Sequence, residues 1–170
     1  MSELTNQLLI FRREQKVQTE SLNLNTLIED TVKMLKHLLK KDISLDVSLD
    51  PELRMIQADR GQLNQVLLNL VFNARDAMPE GGSIRIKTLN TSLKEAEYIL
   101  LEVQDSGSGM DEEILSHIFE PFFTTKETGK GTGLGLATVY SITKQFNGDI
   151  QVCSKLNEGT TFKIYFPHYQ

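Results

Sequence analysis

Apolar residues recur along this 170-residue chain in two rhythms, one helical and one alternating. Leu4, Leu8, Phe11 and Val17 loosely mark one face of residues 1–18, which read as the end of an amphipathic helix starting without a cap. Between 24 and 41, Leu24, Leu27, Ile28, Val32, Leu35, Leu38 and Leu39 fall at helical spacing. The rhythm then changes to alternation in ISLDVSLD at 43–50 and, after Pro51, in LRMIQAD at 53–59, which predicts two strands joined by a turn. A long helix is predicted from Asp59, a suitable N-cap, to Met78, where Pro79, Gly81 and Gly82 stop it. Strands at 83–90 and 97–104 come next. A glycine-punctuated stretch at 105–135 holds a short helix near 111–118, and a helix at 134–147 precedes two closing strands, DIQVCSK and TTFKIYF. This order predicts an α+β two-layer sandwich: a mixed, mostly antiparallel sheet with helices on one face.

Composition narrows the picture. Hydrophobic residues make up 39% and charged residues 24%, which are globular values, and the length suits one domain with a real core. A net charge of −5 gives the surface as a whole no electrostatic reason to bind nucleic acid or an anionic membrane. The single cysteine, Cys153, has no partner for an internal disulfide and is expected to be a buried, inert thiol. The longest apolar runs, such as VLLNLVF at 66–72, are broken by Asn69, and the N-terminus lacks the pattern of a secretory signal. A cytoplasmic protein is expected.

Three features carry chemistry. On a wheel projection of helix 59–78, Gln62, Gln65, Asn69, Asn73 and Asp76 form a polar stripe within roughly 80°, with Leu68 and Phe72 on its far side. Such a stripe is costly to bury unless something hydrogen-bonds it. DSGSGM at 105–110 places a carboxylate at the end of a strand, followed by glycines that permit a tight turn. TTKETGKGTGLGLA at 124–137 leads glycine-rich backbone into a helix N-terminus, an arrangement that suits polyphosphate. Neither standard phosphate motif is matched. Gly131, Gly133 and Gly135 have G-x-G-x-G spacing, and Thr124 and Gly131 stand where a P-loop needs Gly and Ser/Thr.

In order and separation, NLVFNARDAM, DSGSGM, FEPFFTTK and GTGLGLA closely resemble the N, G1, F and G2 boxes of sensor histidine kinases, within the GHKL superfamily and its Bergerat fold. The resemblance covers about residues 22–168, and NARDAMPEGG with FFTTK is similar to nitrogen-regulatory-type and hybrid kinases. It implies an ATP-binding catalytic domain over 21–170, with residues 1–20 the end of a dimerisation hairpin. The implied chemistry is transfer of the ATP γ-phosphoryl group to a histidine of that hairpin and relay to a response-regulator receiver domain. The full-length protein would be a homodimer, with ATP, ADP as product, and Mg²⁺ as the ligands. No nucleic-acid or direct membrane contact is expected.

Residue by residue, the resemblance makes Asn73 a Mg²⁺ ligand and puts Asn69 and Asp76 in the same site. Asp105 would accept from the adenine amino group, with Gly107 and Gly109 letting the chain pass close to the base. Thr160 would assist, although Thr161 beside it leaves the choice open. Lys126, Lys130, Gly131, Thr132, Gly133, Leu134 and Gly135 would form the ATP lid and hold the phosphates, and the aromatics at 119, 122 and 123 would anchor its base. Many kinases of the family carry Lys three residues after the Mg²⁺ asparagine. Here the residue is Asp76, with Arg75 beside it projecting to a different side, which weakens any basic phosphate contact on this helix. No histidine matches an H-box, because His37, His117 and His168 precede Leu, Ile and Tyr, so the acceptor is expected upstream. Two other readings remain: a gyrase-, mismatch-repair- or chaperone-type ATPase, which would need a glutamate where Asn69 stands, and a non-enzymatic module, which would show eroded boxes.

Overall fold

A computed structural model describes residues 17–125 and 132–169. Its main sheet has five strands in the order β2-β4-β5-β7-β6: Ile43–Ser48 (β2), Gly82–Leu93 (β4), Ala96–Asp105 (β5), Gly159–Pro167 (β7) and Asp149–Lys155 (β6). Only β2 runs parallel to its neighbour; the other pairings are antiparallel. A second, two-stranded sheet pairs β1 (Glu20–Leu22) with β3 (Ile56–Ala58). Helices α1 (Leu24–Leu38), α2 (Arg60–Asp76) and α4 (Gly135–Gln145) cover one face, with α2 packed against both neighbours, and a short α3 spans Glu112–Leu115. This is the two-layer α+β sandwich expected.

Strand alternation builds the core. Ile84 and Ile86 of β4, Ile99, Leu101 and Val103 of β5, and Phe162, Ile164 and Phe166 of β7 all point to the helices and are buried. Facing them are Leu63, Val66, Leu67, Leu70, Val71 and Ala74, the wide apolar stripe of α2. Fully burying one such side chain is worth about 1.5–3 kcal/mol, so this interface dominates the fold.

Caps set where the helices begin. Asn23 accepts from the Asn25 amide at 2.8 Å, and Asp111 accepts from Ile114 at 2.8 Å. Asp59 accepts from the Gln62 amide at 3.0 Å and, through its second oxygen, from the Gln18 amide at 2.9 Å. One carboxylate thus starts α2 and ties down the incoming chain.

Several expectations need correction. The two segments at 43–50 and 53–59 are strands but do not pair with each other; β2 pairs with β4, and β3 with β1. Strand β1 had no counterpart in the periodicity, because three residues are too few to show one. Residues 1–16 lie outside the described residues, and 17–19 carry no helix. Helix α1 stops at Leu38, short of 41, and β4 runs on to Leu93. Cys153 is exposed: in β6 the inward positions are Ile150, Val152 and Ser154, so Cys153 falls on the solvent face opposite Thr161.

Candidate nucleotide site

The inward row of β5 reads Ile99, Leu101, Val103 and then Asp105. The inward row of β7 reads Phe166, Ile164, Phe162 and then Thr160, and the register sets Thr160 directly opposite Asp105. Both apolar rows therefore end in a polar group that alternation forces to the buried side. Asp105 is 6% exposed and Thr160 is 5% exposed. This settles which threonine shares the carboxylate's face: Thr161 points the other way.

Burial pushes the Asp105 carboxyl above its ordinary pKa, and the backbone amides of Gly107 and Thr160, which bond to the carboxylate, pull it partly back. The Gly107 amide lies 2.8 Å from Oδ1. Among the described residues no cation pairs with Asp105. A buried carboxylate held by amides alone keeps its remaining lone pairs for a donor from outside the protein.

Helix α2 ends close to Asp105: a side chain at Gly107 would meet both Ala77, the C-cap of α2, and Asp105 Oδ1. Asn69 donates from its amide to the Gly135 carbonyl at 3.2 Å, which ties α2 to the start of α4. Gln62 reaches Gln145 at 3.3 Å, so the far end of the stripe is a contact between helices. Asn73 is half-buried and its amide bonds to no other described residue, so its oxygen is available to a hard cation. Asp76 sits 3.1 Å from Arg75, whose guanidinium also lies 4.8 Å over the Phe72 ring. Arg75 thus does not project away from Asp76; it folds back onto the carboxylate. Leu68 and Phe72, on the far side of the stripe, are partly buried and pack against the core.

The third element is the start of α4, which Asn69 ties to α2. Helices α1, α2 and α3 have side-chain caps, but Leu134 ahead of α4 supplies none, so the first amides of that helix have no side-chain cap among the described residues. Gly133, at φ +71°, accepts from the Phe122 amide at 2.8 Å and closes the base of the segment between them. Thr132 Oγ1 accepts from the Leu134 amide at 3.3 Å. Lys126, Lys130 and Gly131 lie outside the described residues. Phe119 packs on Tyr140 with ring centroids 5.4 Å apart, and Phe123 packs on His117 at 5.6 Å. The Phe122 ring does not anchor the base, being 58% exposed; that residue contributes through its backbone amide alone. Gly109, at φ +67°, is pressed against the Lys155 carbonyl of the β6–β7 turn, so its tight approach is to protein backbone.

Sequence reasoning overlooked Ser154. Its hydroxyl lies 2.8 Å from Thr160 Oγ1, accepts from the Met110 amide at 2.8 Å and reaches the Gly159 carbonyl at 3.1 Å. The signal was present: alternation puts a serine on the buried side of β6, where Ile150 and Val152 precede it.

A buried carboxylate at the end of β5, a half-buried asparagine on α2 and a helix N-terminus without a side-chain cap, on a two-layer sandwich, suit a nucleotide-binding domain of the GHKL type. Residues 58–170 match the family model described as histidine kinase-, DNA gyrase B-, and HSP90-like ATPase, and the chain belongs to that family. It is 47% identical over 175 residues to the sensor kinase CckA of Brucella abortus, covering 96% of this chain and 18% of that protein. It is 38% identical to the histidine-protein kinase AtoS of Escherichia coli, over 98% of this chain and 27% of the relative. The chain therefore spans less than a third of the length of either. The catalytic domain of the histidine kinase ThkA superposes with a TM-score of 0.77 at 33% identity, over 89% of this chain and 96% of that one. Over most of its length the chain corresponds to the catalytic domain of these kinases. No helix among the described residues is long and apolar enough to cross a membrane.

Proposed function

We propose that this domain binds Mg·ATP and donates its γ-phosphoryl group to a histidine on a separate dimerisation hairpin, for relay to the aspartate of a receiver domain. The observation that carries the reading is Asp105, a buried carboxylate with amide partners and no cation among the described residues. It suits an exocyclic amino group, which adenine offers and the keto edge of guanine does not. Asn73 would offer its amide oxygen to Mg²⁺, which neutralises phosphate oxygens when bound. Leu134 and Gly135 open α4, whose free amides suit the phosphate chain, and Gly133, tied to Phe122, would hold the lid's base there. Lys126, Lys130, Gly131 and Thr132 would complete the proposed lid, and Asp76, exposed at the end of α2, would lie at the site's rim.

Asn69 favours transfer over hydrolysis. An amide that donates to a carbonyl cannot take a proton from an attacking water. The partners would be the hairpin, a second copy of the whole protein through that hairpin, and a receiver domain, in the cytoplasm. ThkA, 28% identical with a TM-score of 0.77, is known in complex with the response regulator protein TrrA. Calorimetric titration tests the reading: Mg²⁺-dependent binding of ATP and ADP with weak GTP binding is expected, and equal affinity for GTP overturns the adenine assignment. Asn73→Asp, which sets a carboxylate beside the phosphates, should weaken Mg·ATP binding most.

A further inference from the structure

We propose that Ser154 is a positioning residue that sets base specificity by fixing the direction of the Thr160 hydroxyl proton. The inference rests on the adenine reading above and deepens it.

The register places Asp105, Thr160 and Ser154 in one row across β5, β7 and β6, all on the helix-facing side of the sheet. Ser154 Oγ has three neighbours: the Met110 amide at 2.8 Å, the Gly159 carbonyl at 3.1 Å and Thr160 Oγ1 at 2.8 Å. A hydroxyl has one proton and two lone pairs. The amide can only donate and the carbonyl can only accept. All three contacts are satisfied in one way: Ser154 gives its proton to Gly159 and takes protons from Met110 and from Thr160.

The Thr160 proton then points along the row to Ser154, away from Asp105. Thr160 presents lone pairs alone, beside a carboxylate that also only accepts. A purine edge bearing an amino group finds acceptors there. A keto oxygen finds none of the donors it needs, and a buried acceptor left unpaired is penalised. Without the Ser154 hydroxyl, the Thr160 proton is released to turn inward and meet a keto oxygen. Ser154 touches no nucleotide in this scheme; it acts through Thr160.

Titration calorimetry of the whole chain with Mg·ATP and Mg·GTP tests this, the readout being the ratio of the two affinities. Ser154→Ala should lower the wild-type preference for ATP about tenfold, the size of one hydrogen bond's loss. Ser154→Thr, which keeps the hydroxyl, should retain the preference. Ser154→Cys keeps the volume with a poor partner atom and should relax the ratio as Ala does, which covers a failure of the Ala variant to fold. In a Thr160→Val background, Ser154→Ala should shift the ratio less than about twofold, because the group it acts through is gone. A wild-type ratio in Ser154→Ala, or an equal shift in both backgrounds, overturns the proposal while leaving the adenine reading intact. A wild-type chain with no preference for ATP overturns the adenine reading itself.

Discussion

The side chain of Asn69 donates to the Gly135 carbonyl at 3.2 Å, so the residue standing where a hydrolytic relative would need a base serves here as a strut between α2 and α4. A would-be side chain at Gly135 approaches the same amide at 4.0 Å, so the two helices meet closely at this point.

Replacing the strut should cost stability. Asn69→Glu sets a carboxylate, which can only accept, against a carbonyl that also only accepts. The expected loss is about 1–3 kcal/mol, with Tm falling by about 2–4 °C per kcal/mol for a chain of this size. Thermal unfolding of the nucleotide-free chain checks it. An unchanged Tm would show that the amide contributes nothing to the α2–α4 contact. The same variant is a poor vehicle for engineering hydrolysis, since it would install a base and loosen its surroundings together.

Asp105→Asn should trade stability against binding. Burial raises the folded-state pKa of Asp105, so the folded chain holds its proton more tightly than the unfolded one. For an acid shifted this way the stability penalty is absent below the unfolded pKa, about 3.9, and grows as pH rises through the folded value. The asparagine variant should therefore be at least as stable as wild type at pH 7, with the difference shrinking as pH falls. Its ATP affinity should drop at least about tenfold, because an amide is a weaker acceptor than a carboxylate. Wild-type binding should also weaken on acidification, starting above the range of an ordinary aspartate. Denaturant titrations at pH 7 and 5 with parallel calorimetry decide this; a variant clearly less stable at pH 7 would mean that the two amide bonds outweigh the burial cost.

How much of this was legible in the sequence depends on the range of the interactions involved. The rows ending in Asp105 and Thr160 follow from period-two alternation, which is local, and so do the apolar and polar stripes of α2. The pairing of β2 with β4 rather than with the segment after it is a long-range choice that no local rhythm encodes. Strand β1 is held by pairing with β3 and by the Gln18–Asp59 bond, again over distance. The exposure of Cys153 was decided by parity, which a reading of composition alone passed over. The inward parity of Ser154 is local too, but its place opposite Thr160, and so its role, needs the register of β6 with β7.

Two glycines of one motif should behave differently. Gly133 holds φ +71° and its missing side chain would collide with the Phe122 backbone, whereas one at Gly135 would make only an ordinary contact with Asn69, at 4.0 Å. The left-handed conformation costs a residue with a Cβ about 1–2 kcal/mol, to which the collision adds. Gly133→Ala should lower the Tm of the nucleotide-free chain by several degrees and break the Phe122 amide bond; Gly135→Ala should leave it unchanged or raise it slightly. Equal Tm values for the two variants would refute this account of the lid's base.

The last prediction concerns activity in separated pieces. Alone, the chain should neither label itself from γ-labelled ATP nor hydrolyse ATP appreciably. His37 is exposed on α1, and α2 lies between that helix and α4. His168 sits at the far end of the sheet, its ring nitrogen 3.1 Å from the Met55 carbonyl. His117 is the sharper alternative acceptor, since it packs on Phe123 at the lid's base and lies 3.0 Å from Glu120. Mixed with its own dimerisation hairpin, the chain should label that hairpin, because the buried carboxylate, the asparagine and the α4 terminus all stand on this one chain. The rate should be low, since a tether supplies millimolar effective concentration that free partners lack. Acid lability of the product would mark it as phosphohistidine. Label retained on this chain and lost in His117→Gln would move the acceptor into the domain itself and end the upstream-acceptor reading.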